Sequence, residues 1–173
     1  MNIRTRPLAA ATAVAVAGAL AAGGVATAGA KGGPVLDIVG KETVKPNHSY
    51  TNTWRFAPGQ LTVKSGQTIK IVRHDKGQDP HTVTLTTKRN AHPKGYMDCK
   101  ACNTAQQDHQ PDGPDSPPVP LVEKGAAGFD QPGDSIALLD RKPQTIKITA
   151  KKGTTLYFIC ALHPWMQGTI HVK

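Results

Sequence analysis

Hydrophobic and polar residues alternate in short runs along the second two-thirds of the chain. Leu61-Thr62-Val63-Lys64 alternates, Ser65-Gly66-Gln67 turns, and Thr68-Ile69-Lys70-Ile71 alternates again. His81-Thr82-Val83-Thr84-Leu85-Thr86 places His81, Val83 and Leu85 on one face, because side chains along a strand point to opposite sides in turn. Residues 136–139 form an apolar run, and residues 145–149 alternate cleanly. Lys152-Gly153 turns into residues 154–160, which put Leu156, Phe158 and Cys160 on one face, and residues 169–173 close the chain as a further strand. Short strands punctuated by Gly and Pro predict an all-β, Greek-key β-sandwich. No internal repeat is visible.

Two segments depart from this pattern. The first 30 residues carry Arg4 and Arg6, then an Ala/Val/Leu/Gly run, then Ala28-Gly29-Ala30 before Lys31. A basic start, an apolar middle and a small-x-small end predict a secretory signal peptide over residues 1–30. The alternative is an uncleaved membrane anchor, but the run owes its apolarity mostly to Ala and Gly. Residues 31–173 are then a single exported domain, periplasmic or extracellular. The second departure is residues 88–133, which hold seven of the fourteen prolines and read as a long Pro-rich loop inserted into the sandwich. A connection of that length is often functional.

Charge narrows the partners. Lys plus Arg number 21 against 12 Asp plus Glu, a net charge of +9. Residues 88–133 are close to neutral, so the excess lies on the sandwich. No basic run exceeds two residues and no aromatics are interleaved with them, which disfavours nucleic-acid binding. A dispersed basic surface suits a monomer steered toward acidic partners or loosely associated with an anionic envelope.

The chemistry concentrates near the C-terminus. Cys160-Ala161-Leu162-His163-Pro164-Trp165-Met166 presents a thiolate, an imidazole and a thioether at Cys-x2-His-x2-Met spacing. A soft thiolate with imidazoles and a weak thioether is the donor set of a mononuclear electron-transfer copper. The set needs a second imidazole, and His81 is the best candidate: it begins a strand on the Val83 and Leu85 face, as Cys160 ends one on the Leu156 and Phe158 face. Ile159 and Ala161 flank Cys160, so the His relay of a multicopper oxidase is missing. A binuclear copper centre would need a second thiolate in the same loop, and a Met ligand points away from zinc. There is neither an open coordination position nor an activated nucleophile, so no enzyme is expected.

These residues resemble the cupredoxins, the type 1 blue copper proteins, and among them the plastocyanin and amicyanin type. The resemblance covers about residues 54–87 and 134–173, and the short ligand loop is amicyanin-like. It implies one type 1 copper held by His81, Cys160, His163 and Met166. It also implies that Thr82 braces the ligand loop, that Pro164 stiffens it, and that the protein carries single electrons. An envelope copper-binding or copper-delivery protein without a redox circuit is the alternative. Leu162, Pro164 and Trp165 would form an apolar collar around His163, where redox protein partners dock near Trp165 and His163.

The insert holds a second constellation, His92, Cys99, Cys102 and His109. Met97-Asp98-Cys99-Lys100-Ala101-Cys102 locally resembles the metal loop of soft-metal chaperones, without the rest of their domain. Asn103 after Cys102 excludes a c-type haem. A Cys99–Cys102 disulfide and a second metal site are both open on the sequence, the former natural outside the cytoplasm.

Overall fold

The computed structural model describes residues 33–93 and 97–173. The signal segment 1–30 lies outside the described residues. Among these, no helix is long and apolar enough to cross a membrane.

The strands in the first half are β1 (Val35–Val39), β2 (Glu42–Lys45), β3 (Ser49–Asn52), β4 (Arg55–Ala57), β5 (Gln60–Val63) and β6 (Thr68–Arg73). β7 (His81–Thr86), α1 (Lys100–His109), β8 (Leu121–Val122), β9 (Ser135–Leu138), β10 (Gln144–Lys147), β11 (Thr155–Ile159) and β12 (Gln167–Val172) follow. One sheet has the order β10-β6-β1-β4 and the other β5-β12-β11-β7-β9-β8, while β2 and β3 pair as a separate hairpin. The chain crosses repeatedly between the two sheets, giving the Greek-key β-sandwich expected from the alternating runs. Crossing also explains the parallel pairs β1 with β6 and β5 with β12, since parallel neighbours cannot be joined by a tight turn.

The core lies between the sheets. Leu36, Ile38, Ile69 and Ile71 meet Val83, Leu85, Leu156, Phe158, Ile170 and Val172 there. Each large side chain buried this way contributes roughly 1.5–3 kcal/mol. The Phe158 ring packs edge-on against Phe56, centroids 4.9 Å apart. It also lies across its strand partner Gly168, where a Cβ would stand 2.3 Å from Phe158 Cζ, so only glycine fits.

β5 and β6 bury alternate residues, as strands with one wet face do, but all six residues of β7 are buried. The reason is a third layer. Residues 88–133, read from their composition as a Pro-rich loop, contain a 3-10 turn at Lys88–Asn90, the ten-residue helix α1, and β8, which extends the larger sheet beyond β9. Cys99, Cys102 and Ala105 pack on Ile159 and Ala161, beside the end of β11. The helix starts at Cys99, whose sulfur accepts the Cys102 N–H at 3.2 Å, and stops at Gln110 before Pro111. Its buried residues, Cys102, Ala105 and His109, sit at i, i+3 and i+7, one face of a helix. None of the three is a large apolar side chain, which is why no helical pattern stands out in the sequence.

Candidate metal centre

β7 begins with His81 directly after Pro80, and β11 ends one residue before Cys160. The strands are antiparallel neighbours, so the start of one lies beside the end of the other. From Cys160 the chain makes two successive turns. The His163 N–H donates to Cys160 O at 3.2 Å, and the Met166 N–H donates to His163 O at 2.8 Å. The Cys160 N–H closes the loop onto Met166 O at 3.0 Å. The two x2 spacings thus place Cys160, His163 and Met166 at the corners of consecutive turns. Pro164 favours extended backbone at His163.

Three donor atoms converge. The Cys160 sulfur is 3.9 Å from His81 Nδ1 and 3.5 Å from His163 Nδ1, and the three ligand atoms all lie within 4.8 Å of one another. Bonds of about 2.0 Å to nitrogen and 2.3 Å to sulfur, spread at 120°, would separate N from S by roughly 3.7 Å. The spacings about Cys160 therefore suit a first-row metal ion, and the softness of the donors suits copper. Cys160, His81 and Met166 are fully buried, and His163 is 7% exposed. Met166 is part of the core cluster at the end of the ligand loop.

Electrostatics keep both imidazoles neutral, the form that binds metal. Burial, then the neighbouring His163 and Arg73, hold His81 down at about 4 despite the opposing charge of Asp75. Burial also lowers His163, against the pull of Asp79, whose carboxylate lies 3.8 Å from Nε2. Burial raises the Cys160 thiol, while hydrogen bonds from Thr82, Leu162 and His163 work the other way. A metal ion held here would have to displace that proton.

A frame the sequence did not reveal surrounds these groups. Buried Arg73 grips buried Asp75 through both oxygens, Nε to Oδ1 at 3.1 Å and Nη2 to Oδ2 at 3.0 Å. Arg73 also donates to the carbonyls of Leu138 and Asp79, and Arg141 donates to those of Asp75 and Gly77. The loop before His81 is pinned by these bonds. Burial opposes ionisation of Asp75, but Arg73 above all, with Arg141 beside it, outweighs it and lowers its pKa. Asp75 Oδ2 stands 3.6 Å from His81 Nε2, just beyond hydrogen-bond distance, and that buried nitrogen has no closer polar partner. Trp54 meets both imidazoles edge-on, with centroids 5.2 Å from His81 and 4.6 Å from His163. Gly77 makes room for that indole: a Cβ there would stand 2.2 Å from Trp54 Cζ2.

The Thr82 N–H donates to the Cys160 sulfur at 3.3 Å, and the Thr82 hydroxyl accepts the Ala161 N–H at 2.7 Å. Thr82 therefore ties the two ligand segments together. Trp165 is 55% exposed beside His163, centroids 5.2 Å apart.

The second constellation does not assemble. Cys99 and Cys102 form a disulfide. His92 bonds to Gln167, and His109 to Val119 O and Ser135. Among the described residues, the group of metal-ligating side chains brought together is His81, Cys160 and His163. Trp54 and Arg73 went unread because an isolated Trp and a charged residue near a turn carry no signal until the fold brings partners to them.

No family model matches the chain, and no curated protein matches it. Solved structures similar to it include a purple cupredoxin from Nitrosopumilus maritimus, at 14% identity over 81% of this chain and 99% of that one, with a TM-score of 0.42. A reduced auracyanin from Roseiflexus castenholzii is 16% identical over 82% and 98%, with a TM-score of 0.44. Auracyanin A from Chloroflexus aurantiacus is 20% identical over 80% and 99%, with a TM-score of 0.42. At these scores the likenesses decide nothing about function, which rests on the site itself. In its Greek-key sandwich and in the His81, Cys160 and His163 gathered at one end of it, the chain resembles the cupredoxins.

Proposed function

We propose that the chain binds one copper ion through His81, Cys160, His163 and Met166 and carries single electrons outside the cytoplasm, without being an enzyme. The observation that carries this reading is the convergence of three buried donor atoms within 4.8 Å. Bound copper would supply a couple between Cu(II) and Cu(I). The protein's share is to hold its ligands still, so that both oxidation states meet nearly one geometry. The two turns of the ligand loop, the Arg73–Asp75 frame and the Trp54 wedge do so. Full burial of Cys160 and Met166 favours retention of the ion over its delivery to another protein. Exposed Trp165 stands beside His163, the most accessible ligand, and with half-buried Leu162 it offers redox proteins a small apolar docking patch. Pro164 is buried in the fold and does not supply the exposed surface that the collar read from the sequence would need. The Cys99–Cys102 disulfide suits an oxidising compartment, in keeping with export.

Voltammetry and self-exchange kinetics of the copper-loaded protein test this reading. A reversible one-electron wave with fast exchange is expected. Trp165→Asp should slow exchange with partner proteins and leave the visible spectrum nearly intact. Slow exchange with release of Cu(I) to an acceptor would favour copper delivery instead.

A further inference from the structure

A chain of buried hydrogen bonds leads from the ligand loop into the insert. The Ala161 N–H donates to Thr82 Oγ1 at 2.7 Å. Thr82 Oγ1 and Thr84 Oγ1 are 2.9 Å apart, and Thr84 Oγ1 and Ser135 Oγ 2.7 Å. Ser135 Oγ lies 2.7 Å from His109 Nε2, and His109 Nδ1 bonds to the carbonyl of Val119. Thr82, Thr84, Ser135 and His109 are all buried, so these groups must satisfy one another.

The two ends fix the direction of every link. A carbonyl only accepts, so His109 Nδ1 carries the hydrogen donated to Val119. In a neutral imidazole Nε2 is then bare and only accepts. The Ser135 hydroxyl must donate to it and accept from Thr84. The Thr84 hydroxyl donates to Ser135 and accepts from Thr82. At the far end Thr82 Oγ1 accepts the Ala161 N–H and spends its single hydrogen on Thr84. So directed, the Thr82 hydroxyl keeps a lone pair for the Ala161 N–H, the residue after Cys160.

We infer that His109 is a positioning residue for the metal centre: through Ser135 and Thr84 it points the Thr82 hydroxyl hydrogen at Thr84 and so leaves the Thr82 oxygen to accept the Ala161 N–H, which holds the ligand loop beside Cys160. The same Thr82 donates its N–H to the Cys160 sulfur, so a shift of Thr82 is felt at the sulfur. The insert is thereby part of the site's tuning. Its placement is held at both ends of α1, by the disulfide against Ile159 and Ala161 and by His109 against Ser135. Gln106 adds a bond to Ala161 O at 3.2 Å.

The inference rests on the copper reading, and the two are tested separately. In the metal-free protein, nitrogen-15 NMR of the His109 ring should find the hydrogen on Nδ1 and Nε2 bare. Hydrogen on Nε2 would overturn the inference without any metal being present. In the copper-loaded protein, Thr84→Val removes the partner of the Thr82 hydroxyl, and His109→Leu and Ser135→Ala remove the acceptors that fix its direction, so each loosens the Thr82 brace on Ala161. Each should shift the thiolate band and the reduction potential, because the Thr82 N–H on the Cys160 sulfur moves with that brace. The double variant His109→Leu/Ser135→Ala should shift no further than either single one, since both cut one chain. Unchanged bands and potentials in Ser135→Ala and Thr84→Val would overturn the inference even if His109→Leu failed to fold. A wild-type protein lacking the thiolate band would sink the copper reading instead, and the His109 tautomer would still decide the direction of the chain.

Discussion

Residues 160–166 and residues 99–109 both begin with a cysteine, and they pack against each other at the end of β11. Their cysteines meet opposite fates. Cys99 has Cys102 three positions on, at the first turn of a helix, and the two sulfurs close on each other. Cys160 has His163 three positions on and no other sulfur bonded to it; its neighbours are two imidazoles and the N–H of Thr82, 78 residues away in sequence. The disulfide is a local product of spacing. The free thiol is a product of long-range packing, kept open by a frame assembled from β6, β7 and the loop between them. The same x2 spacing closes a ring in one place and opens a binding site in the other, and what decides is the residue that answers the first cysteine.

If the frame is long-range, breaking it should cost far more than breaking the local ring. The largest effect is expected at Arg73→Met. It leaves the Asp75 carboxylate buried without its main partner, a loss of about 3–5 kcal/mol. Urea denaturation of the metal-free protein measures it, and a change under 1 kcal/mol would show that the pair does not hold this end together.

Acid should probe the same end next. The folded pKa of His81, about 4, lies below its ordinary value near 6.5, so the unfolded chain binds more protons between the two. Stability of the metal-free protein is therefore fully present above pH ~6.5 and falls as the pH drops toward ~4, by on the order of 3 kcal/mol. His163, also lowered, adds to the same trend. Asp75, lowered in turn, keeps its contribution above the ordinary carboxylate range and loses it only in stronger acid. A urea midpoint flat from pH 7 to pH 4 would contradict the buried, neutral imidazoles.

The smallest effect belongs to the insert. Cys99→Ser/Cys102→Ser opens a ring so short that chain entropy ascribes to it about 2 kcal/mol at most. The double variant should stay folded and bind one copper per chain like the parent, measured by metal analysis. Loss of copper from it would mean that the disulfide is part of the site's frame.

The sandwich was legible because its strands alternate and are cut by Gly and Pro. The runs at 61–64, 68–71, 81–86 and 154–160 all became strands. The four ligand candidates were legible because three of them sit in one heptapeptide. β1 alternates over only five residues, and the β2–β3 hairpin buries no side chain, its one apolar pair, Val44 and Tyr50, being exposed. α1 stayed hidden because its buried residues are a disulfide cysteine, an alanine and a histidine. In sequence the histidine stands in a group open to a second metal site or to a disulfide of its cysteines; in the fold the cysteines are disulfide-bonded, and the histidine is buried and bonded to Ser135 and Val119. Arg73 and Asp75 look like surface charges in sequence. Only the fold shows that they share a desolvated pocket with His81.

The most direct measurement is a titration of the metal-free protein with Cu(II), followed by visible absorption, in the parent and in Cys160→Ser. One equivalent per chain should produce an intense thiolate charge-transfer band in the parent, and Cys160→Ser should show none. A parent that binds copper without the band, or a Cys160→Ser variant that keeps it, would contradict the assignment of this end of the sandwich as a type 1 copper site.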